Sequence, residues 1–96
     1  MNSRALHDFW ASRDDEFLKF DRVAVKLSGR PDLHAFLLLD KLVPGNRDLI
    51  CGAGHDEFYI GVEPEELTKV ASEEELIDLH RCGVRCDPDN GLCVFA

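Results

Sequence analysis

The sequence predicts an α+β fold, in which N-terminal helices pack on a small, mostly antiparallel sheet that ends in a C-terminal β-hairpin. Three observations support this class. Apolar residues recur at helical spacing before residue 44, whereas short apolar runs between turn residues follow residue 49. Residues 87–91, Asp-Pro-Asp-Asn-Gly, have the composition of a hairpin turn. The length of 96 residues suits one domain, residues 1–96, and 45% of the residues are hydrophobic.

The N-terminal third predicts a short helix followed by a longer one over residues 13–27. Ser12 and Asp15 have the spacing of a weak capping box between the two helices, and Gly29 ends the second. The apolar residues that follow one helical stripe are Leu6, Phe9, Trp10, Phe17, Phe20, Ala24 and Leu27.

Residues 31–43 predict a third helix that is apolar on nearly all sides. Pro31 suits its first position, and Pro44 and Gly45 stop it. A helix of this kind lies at the centre of a core or is covered by a second copy of the chain. We therefore expect a homodimer.

The second half predicts strands and two short helices. Residues 49–51 suit a short strand and residues 52–54 a bend, and residues 57–62 alternate as a second strand. An isolated hairpin is marginal in water, so we expect residues 57–62 to pair with a strand of the final hairpin. Two helices come between these strands. The first covers residues 64–71, and the second begins at the capping box of Ser72 and Glu75 and stops at Gly83.

The charge is unevenly distributed along the chain. The chain has 11 Lys and Arg against 19 Asp and Glu residues, a net charge of −8 and a pI near 4.8. Residues 1–48 contain eight positive and eight negative side chains, whereas residues 49–96 contain three positive and eleven negative ones. This charge opposes direct binding to nucleic acid, whose phosphates need clustered cations. An acidic face serves solubility or meets a basic protein partner.

Two groups of side chains are candidate partner-binding residues. Carboxylates cluster at the starts of the two short helices, where the helix dipole favours them and where they also imitate a row of phosphates. Phe9 and Trp10 become anchors if the leading helix docks on another chain, although a core position is the simpler interpretation of both. The acidic candidates are Glu65, Glu66, Glu73, Glu74 and Glu75, with Glu63 beside them.

No segment is suited to a membrane. The longest apolar run, residues 35–39, has five residues where a spanning helix needs about twenty. Residues 1–20 contain charges throughout and lack the apolar stretch of a signal peptide. We therefore expect a cytosolic protein whose cysteines stay reduced.

A zinc-binding or hydrolytic protein is the alternative interpretation. It rests on His80, Cys82, Cys86 and Cys93, with Cys51 and His55 as possible additions. Four such ligands suit tetrahedral zinc, but paired C-x-x-C motifs are absent. The other interpretation is that the cysteines are small buried residues in strands, and we expect no metal and no cofactor.

Four further sets of residues give weaker functional signals. If the final hairpin has a four-residue loop, Cys86 and Cys93 lie opposite each other at disulfide distance. Residues 52–54 resemble the start of a phosphate loop, but a glycine is missing at position 57, which is Glu57. His55 and its neighbouring carboxylates offer an acid/base pair without a nucleophile. His7 and His34 are expected on helix faces.

Residues 55–87 resemble small uncharacterised proteins encoded by phages and prophages. The resemblance implies an accessory or host-interacting role, and it assigns no activity and no site residue. From these patterns we predict a small, acidic, cytosolic interaction or regulatory protein without enzymatic activity, which binds another macromolecule through its acidic face.

Overall fold

The fold is α+β, as the sequence predicts. A computed structural model describes residues 1–46, 48–54 and 56–95, and in these residues four α-helices pack with one four-stranded antiparallel sheet. The helices are α1 (Ser3–Ala11), α2 (Pro31–Leu42), α3 (Pro64–Val70) and α4 (Glu73–Arg81). The strands are β1 (Ile50–Gly54), β2 (Glu57–Ile60), β3 (Val84–Asp87) and β4 (Gly91–Phe95). Within the described residues, none of the helices has the length and apolar content that a membrane span requires.

The sheet has the order β1-β2-β4-β3, so the final hairpin joins the earlier strands through β2 and β4. This pairing confirms the expectation for residues 57–62. Phe58 lies opposite Val94, which lies opposite Val84. Directly opposed residues share one face of a sheet, and this row packs against the core that the helices cover.

The final turn has three residues between β3 and β4. Oδ1 of Asp87 accepts the backbone N–H groups of Asp89 (2.8 Å) and Asn90 (3.3 Å). These hydrogen bonds hold the pKa of the Asp87 carboxyl below its ordinary value. Gly91 follows in the left-handed region, at φ +82°, where a glycine avoids a steric penalty.

This turn rules out the disulfide between Cys86 and Cys93. Cys86 lies opposite Leu92, and Cys93 lies opposite Arg85. Side chains alternate along a strand, so the two cysteines lie on opposite faces of the sheet. The four-residue loop on which that pairing depended does not form, because the hairpin closes at Asp87 and Gly91.

Residues 52–54 also differ from the sequence prediction. They belong to β1 and form no bend, with Gly52 opposite Tyr59 and Gly54 opposite Glu57. The register shifts between Ile50 and Gly52, which makes the strand irregular. The change of direction occurs after Gly54, and Asp56 there has a left-handed backbone (φ +65°).

The predicted helix over residues 13–27 is wrong. The segment contains two short 3-10 turns, Asp14–Glu16 and Phe20–Arg22. Leu18 between them has a left-handed backbone at φ +62°. Its N–H donates to the His80 carbonyl of α4 (3.3 Å). This N–H group therefore does not form the hydrogen bond to the residue four positions earlier that a helix requires.

Two aromatic contacts explain why residues 13–27 do not form a continuous helix. The Phe17 ring packs on the His80 ring at 5.0 Å, and the Phe20 ring packs edge-on against His34 at 5.7 Å. These partners belong to different helices. The irregular backbone lets both aromatic side chains reach them.

The polar residues around α1 have other roles than the sequence suggested. Oδ1 of Asn2 caps the helix by accepting the Ala5 N–H (2.9 Å). Ser12 lies at the other end, and its hydroxyl donates to the Phe9 carbonyl (2.8 Å). The expected capping box of Ser12 and Asp15 is therefore wrong.

The later helices follow the sequence prediction closely. The hydroxyl of Ser72 accepts the Glu75 N–H, and the Glu75 carboxylate accepts the Ser72 N–H, which is the predicted capping box. Gly83 follows α4 at φ +96°. A side chain there would also collide with Leu18, because a Cβ atom would lie 2.9 Å from Leu18 Cδ2.

Helix α2 is buried on one face only. His34, Ala35, Leu38 and Leu39 are buried, whereas Leu33 and Leu37 remain 46% and 41% exposed. The buried face forms part of a core that contains side chains from all four helices and from β2, β3 and β4. The helix therefore packs in the core of the single chain. Its exposed leucines are available for contact with another molecule.

Candidate functional site

The acidic surface comprises Glu65 and Glu66 at the start of α3 and Glu73 and Glu74 at the start of α4. All four side chains are exposed. The fifth predicted carboxylate, Glu75, is half-buried because it closes the capping box with Ser72. Four of the five predicted acidic residues are therefore accessible to a partner.

The two arginines of the second half pair mainly with carboxylates outside this surface. Arg81 contacts Glu74 (3.1 Å), but it also pairs with Asp78 (2.8 Å) and Glu16 (2.5 Å). Arg85 pairs with Glu57. Arg81 therefore serves mainly to fasten the first 3-10 turn to α4.

Two carboxylates of the acidic surface form no ion pair with a described residue, although Lys69 lies one helical turn from Glu65 on α3. Within the described residues, neither Glu65 nor Glu73 has a Lys, Arg or His nitrogen within ion-pair distance. An exposed carboxylate without a partner retains its full charge toward an approaching cation. These two residues are the clearest contributors to an acidic binding face.

The two aromatic candidates are placed differently from each other. Trp10 is only 2% exposed, its Nε1–H donates to the Leu76 carbonyl (2.9 Å), and it stacks on His80. Phe9 is half-buried and carries the Arg13 guanidinium above its ring at 3.8 Å. Trp10 is therefore a core residue in this structure, and Phe9 is the aromatic residue that a partner can reach.

The predicted metal ligands do not converge. His80, Cys82, Cys86 and Cys93 are all buried, but Cys93 and Cys86 lie on opposite faces of the sheet. Among the residues that the structure describes, no three His, Cys, Asp or Glu side chains form a group suited to a metal ion. His55, proposed as an extra ligand and as an acid/base residue, lies outside the described residues.

The buried thiols of Cys82 and Cys86 have low reactivity. Burial raises the pKa of Cys82 to about 12 and that of Cys86 to about 11. The thiolate is the reactive form of cysteine, so these two thiols are poor nucleophiles near neutral pH. Cys51 is exposed on β1 and is accessible to reagents.

Two histidines, His34 and His80, are buried, which the sequence analysis did not predict when it placed His34 on a helix face and His80 among candidate metal ligands. They are 2% and 5% exposed, and burial lowers the pKa of both. Each has one ring nitrogen without a hydrogen-bond partner among the described residues. Their positions on apolar helix faces were the available signal, because His34 precedes Leu38 and His80 follows Leu76 by one helical turn.

These two histidines are held in opposite tautomers. The Leu27 N–H donates to Nδ1 of His34 (3.0 Å), so the proton of the neutral His34 ring is on Nε2. Nδ1 of His80 lies 2.9 Å from the Val84 carbonyl, which only accepts, so Nδ1 of His80 carries the proton. His34 therefore presents an unpaired donor, and His80 presents an unpaired acceptor.

Comparison with known proteins gives no further guide to the site. No family model, curated protein or solved structure matches this chain. The resemblance of residues 55–87 to phage and prophage proteins therefore stays a prediction from the sequence.

Proposed function

We propose that this protein is a small interaction or regulatory protein that binds a basic protein partner through its acidic surface. The observation that carries the proposal is the exposure of Glu65 and Glu73, which form no ion pair with a described residue. The cytosolic location and the accessory role in a phage or prophage belong to the same proposal.

Electrostatics gives such a surface a definite kinetic role. Charges of one sign on an exposed face accelerate the encounter with an oppositely charged partner, and salt screens the effect over a Debye length of about 10 Å at 0.1 M. The main consequence is a faster association rate and greater selectivity for basic partners. A cytosolic accessory protein can use such a surface to occupy the cationic face of another protein.

The test is a pair of charge reversals with equal change in net charge. In the variant Glu65→Lys/Glu73→Lys, association with the partner should slow by about tenfold or more at 50 mM salt, and the difference should shrink at 200 mM salt. The partner is captured from the host on the immobilised protein and identified by mass spectrometry. Stopped-flow or surface-based kinetics then measure the association rate.

The matched control is Asp15→Lys/Asp21→Lys. Both aspartates are exposed in the two 3-10 turns, outside the acidic surface and outside α2. This variant should associate nearly as fast as the original chain. Equal slowing by both pairs would show that only net charge matters, and insensitivity to salt and to both pairs would assign the charge to solubility.

We also propose that the chain is a homodimer, with the exposed side of α2 at the interface. Leu33 and Leu37 lie one helical turn apart and are 46% and 41% exposed. Light scattering should give twice the 10.8 kDa of one chain. Leu33→Ser/Leu37→Ser should give single chains, because both changes remove exposed apolar area from the interface and neither residue belongs to the core cluster. A mass near 10.8 kDa for the original chain contradicts the dimer.

A further inference from the structure

Strand β1 forms one edge of the sheet, and its outer side has no strand beside it in the described part of the chain. The other edge, β3, is flanked by α1 and α4. The Val84 carbonyl of β3 accepts the Nδ1–H of His80, and the Cys86 thiol donates to the Ser3 carbonyl of α1. By contrast, β1 packs mainly on β2. Its outer backbone groups therefore form an open edge.

The register of the β1–β2 hairpin shows which backbone groups of β1 point outward. Gly54 and Glu57 close this hairpin with only two residues between them, so they exchange hydrogen bonds with each other. Antiparallel pairs alternate, so the next pair, Ala53 and Phe58, forms no such bonds. The N–H and C=O groups of Ala53 therefore point away from β2, toward the open edge.

The sequence of β1 favours a second copy of the chain as the partner of this edge. The strand, Ile-Cys-Gly-Ala-Gly, contains none of the charged residues or prolines that usually keep edge strands apart. Two copies of a chain with a net charge of −8 repel each other, so they meet most readily where neither brings a charge. An uncharged strand does nothing, in contrast, to attract the basic partner of the acidic surface.

Two β1 strands fit each other about a two-fold axis at Ala53, whose side chain is exposed. The Ala53 residues of the two copies then form a hydrogen-bonded pair, in which each N–H donates to the carbonyl of the other. Gly52 and Gly54 lie on either side and bring no side chain that would hinder the approach of the backbones. The two four-stranded sheets join into one continuous antiparallel sheet.

The position of α2 suits the same arrangement. Phe36 of α2 lines a groove with Leu49 and Ile50 at the start of β1, so α2 lies beside this edge. The two-fold axis is perpendicular to the joined sheet, so the α2 helices of both copies lie on one side of it. Leu33 and Leu37, which neighbour Phe36 on α2, are exposed. Pairing of β1 therefore brings the two α2 helices toward each other.

We propose that β1 pairs antiparallel with β1 of a second copy and that this pairing forms the centre of the homodimer. The proposal rests on the homodimer proposed above and names the strand and the symmetry that join the copies. It adds backbone hydrogen bonds to the apolar contact of α2. None of the residues of the acidic surface belongs to β1 or α2, so the pairing uses a separate part of the chain.

Ala53→Pro and Ala53→Ser are the matched variants. Proline removes the outward N–H and leaves the β1–β2 hydrogen bonds in place, because the Ala53 N–H donates none to β2. Serine keeps the N–H and a small side chain. A symmetric dimer loses two hydrogen bonds in Ala53→Pro, so its dissociation constant should rise by at least about tenfold. Sedimentation over a series of concentrations measures this constant, and equal values for the two variants would overturn the pairing.

A disulfide test does not depend on whether β1 tolerates proline. In Cys51→Ser/Ala53→Cys the introduced thiols face each other across the axis, where paired Cα atoms are about 5.5 Å apart, within disulfide range. Glutathione disulfide takes up the two electrons, and a covalent dimer should appear on a non-reducing gel. The control Cys51→Ser/Asp15→Cys places an exposed thiol in the first 3-10 turn and should stay a single chain. The other three cysteines are buried. Equal yields of covalent dimer from the two variants would contradict the proposal.

The pairing of β1 and the homodimer can fail separately. If Leu33→Ser/Leu37→Ser dissociates the dimer while Ala53→Pro does not and no disulfide forms, α2 alone is the interface and the pairing is wrong. If the original chain has the mass of one chain at every concentration, the homodimer and the pairing are both wrong. If that single chain instead loses a captured partner in Ala53→Pro, the edge binds another protein, which also overturns the proposal.

Discussion

Replacing Trp10 with alanine is expected to lower the free energy of unfolding by about 3 to 5 kcal/mol. The side chain is 2% exposed, stacks on His80 and is the largest of the fully buried side chains. Its removal leaves a cavity between α1 and α4 and deletes the hydrogen bond to the Leu76 carbonyl. For a domain of this size, a loss of that magnitude is a large part of the total stability.

A graded series separates the packing of Trp10 from its hydrogen bond. Trp10→Phe keeps an aromatic ring and should cost about 1 to 2 kcal/mol, the usual range for a lost hydrogen bond with partial repacking. Urea denaturation followed by far-UV circular dichroism gives these values without relying on the removed tryptophan. A cost below about 1 kcal/mol for Trp10→Ala would contradict its core position and restore it as a candidate partner anchor.

Local sequence signals predicted most of the second half of the fold. The capping box of Ser72 and Glu75 begins α4, and Gly83 follows its end. The turn at residues 87–91 joins β3 and β4, where Asp87 accepts backbone N–H groups of the turn and Gly91 has a left-handed backbone. Each of these signals acts within a few residues, so the surrounding structure has little chance to override it.

The helix predicted over residues 13–27 is absent because contacts with distant residues override the local pattern. Its apolar spacing fits a helix, but Phe17 and Phe20 pack on histidines of two different helices. The left-handed backbone of Leu18 and its bond to the His80 carbonyl follow from those contacts. The spacing of apolar residues indicates a helix, but it does not reveal which distant side chain each residue contacts.

The candidate functional residues show the same contrast between local signals and long-range contacts. The acidic surface was visible in the sequence, because charge and helix starts are local properties. The cleft between α1, the first 3-10 turn, α4 and β3 was not visible, since the residues that line it range from His7 to Cys86 along the chain and meet only through the packing of these elements. The tautomer of each buried histidine likewise depends on a backbone group outside its own helix, at Leu27 or Val84.

The free energy of unfolding should fall as the pH is lowered from about 6.5 to 5.5, because two buried histidines stay neutral in the folded chain. Burial lowers the pKa of His34 and His80 below the ordinary value of 6.5. Below pH 6.5 the unfolded chain therefore binds protons that the folded chain does not. Linkage makes the loss at most about 1.4 kcal/mol per pH unit for each histidine, and it ends at the folded-state pKa.

Asparagine variants identify the groups responsible for this pH dependence. In His34→Asn the amide oxygen can still accept the Leu27 N–H, and in His80→Asn the amide nitrogen can still donate to the Val84 carbonyl. Both variants should lose stability at pH 7, but the double variant should show a much flatter slope between pH 6.5 and 5.5. Urea midpoints at three pH values measure that slope.

His7→Asn is the matched control, since the His7 side chain is 43% exposed, and it should keep the slope of the original chain. The carboxyls of Glu16 and Asp87 also have lowered pKa values, from 4.5 and 3.8, so the stability that they contribute is lost only as the pH falls below that window. A double variant with the slope of the original chain would show that neither histidine is held neutral.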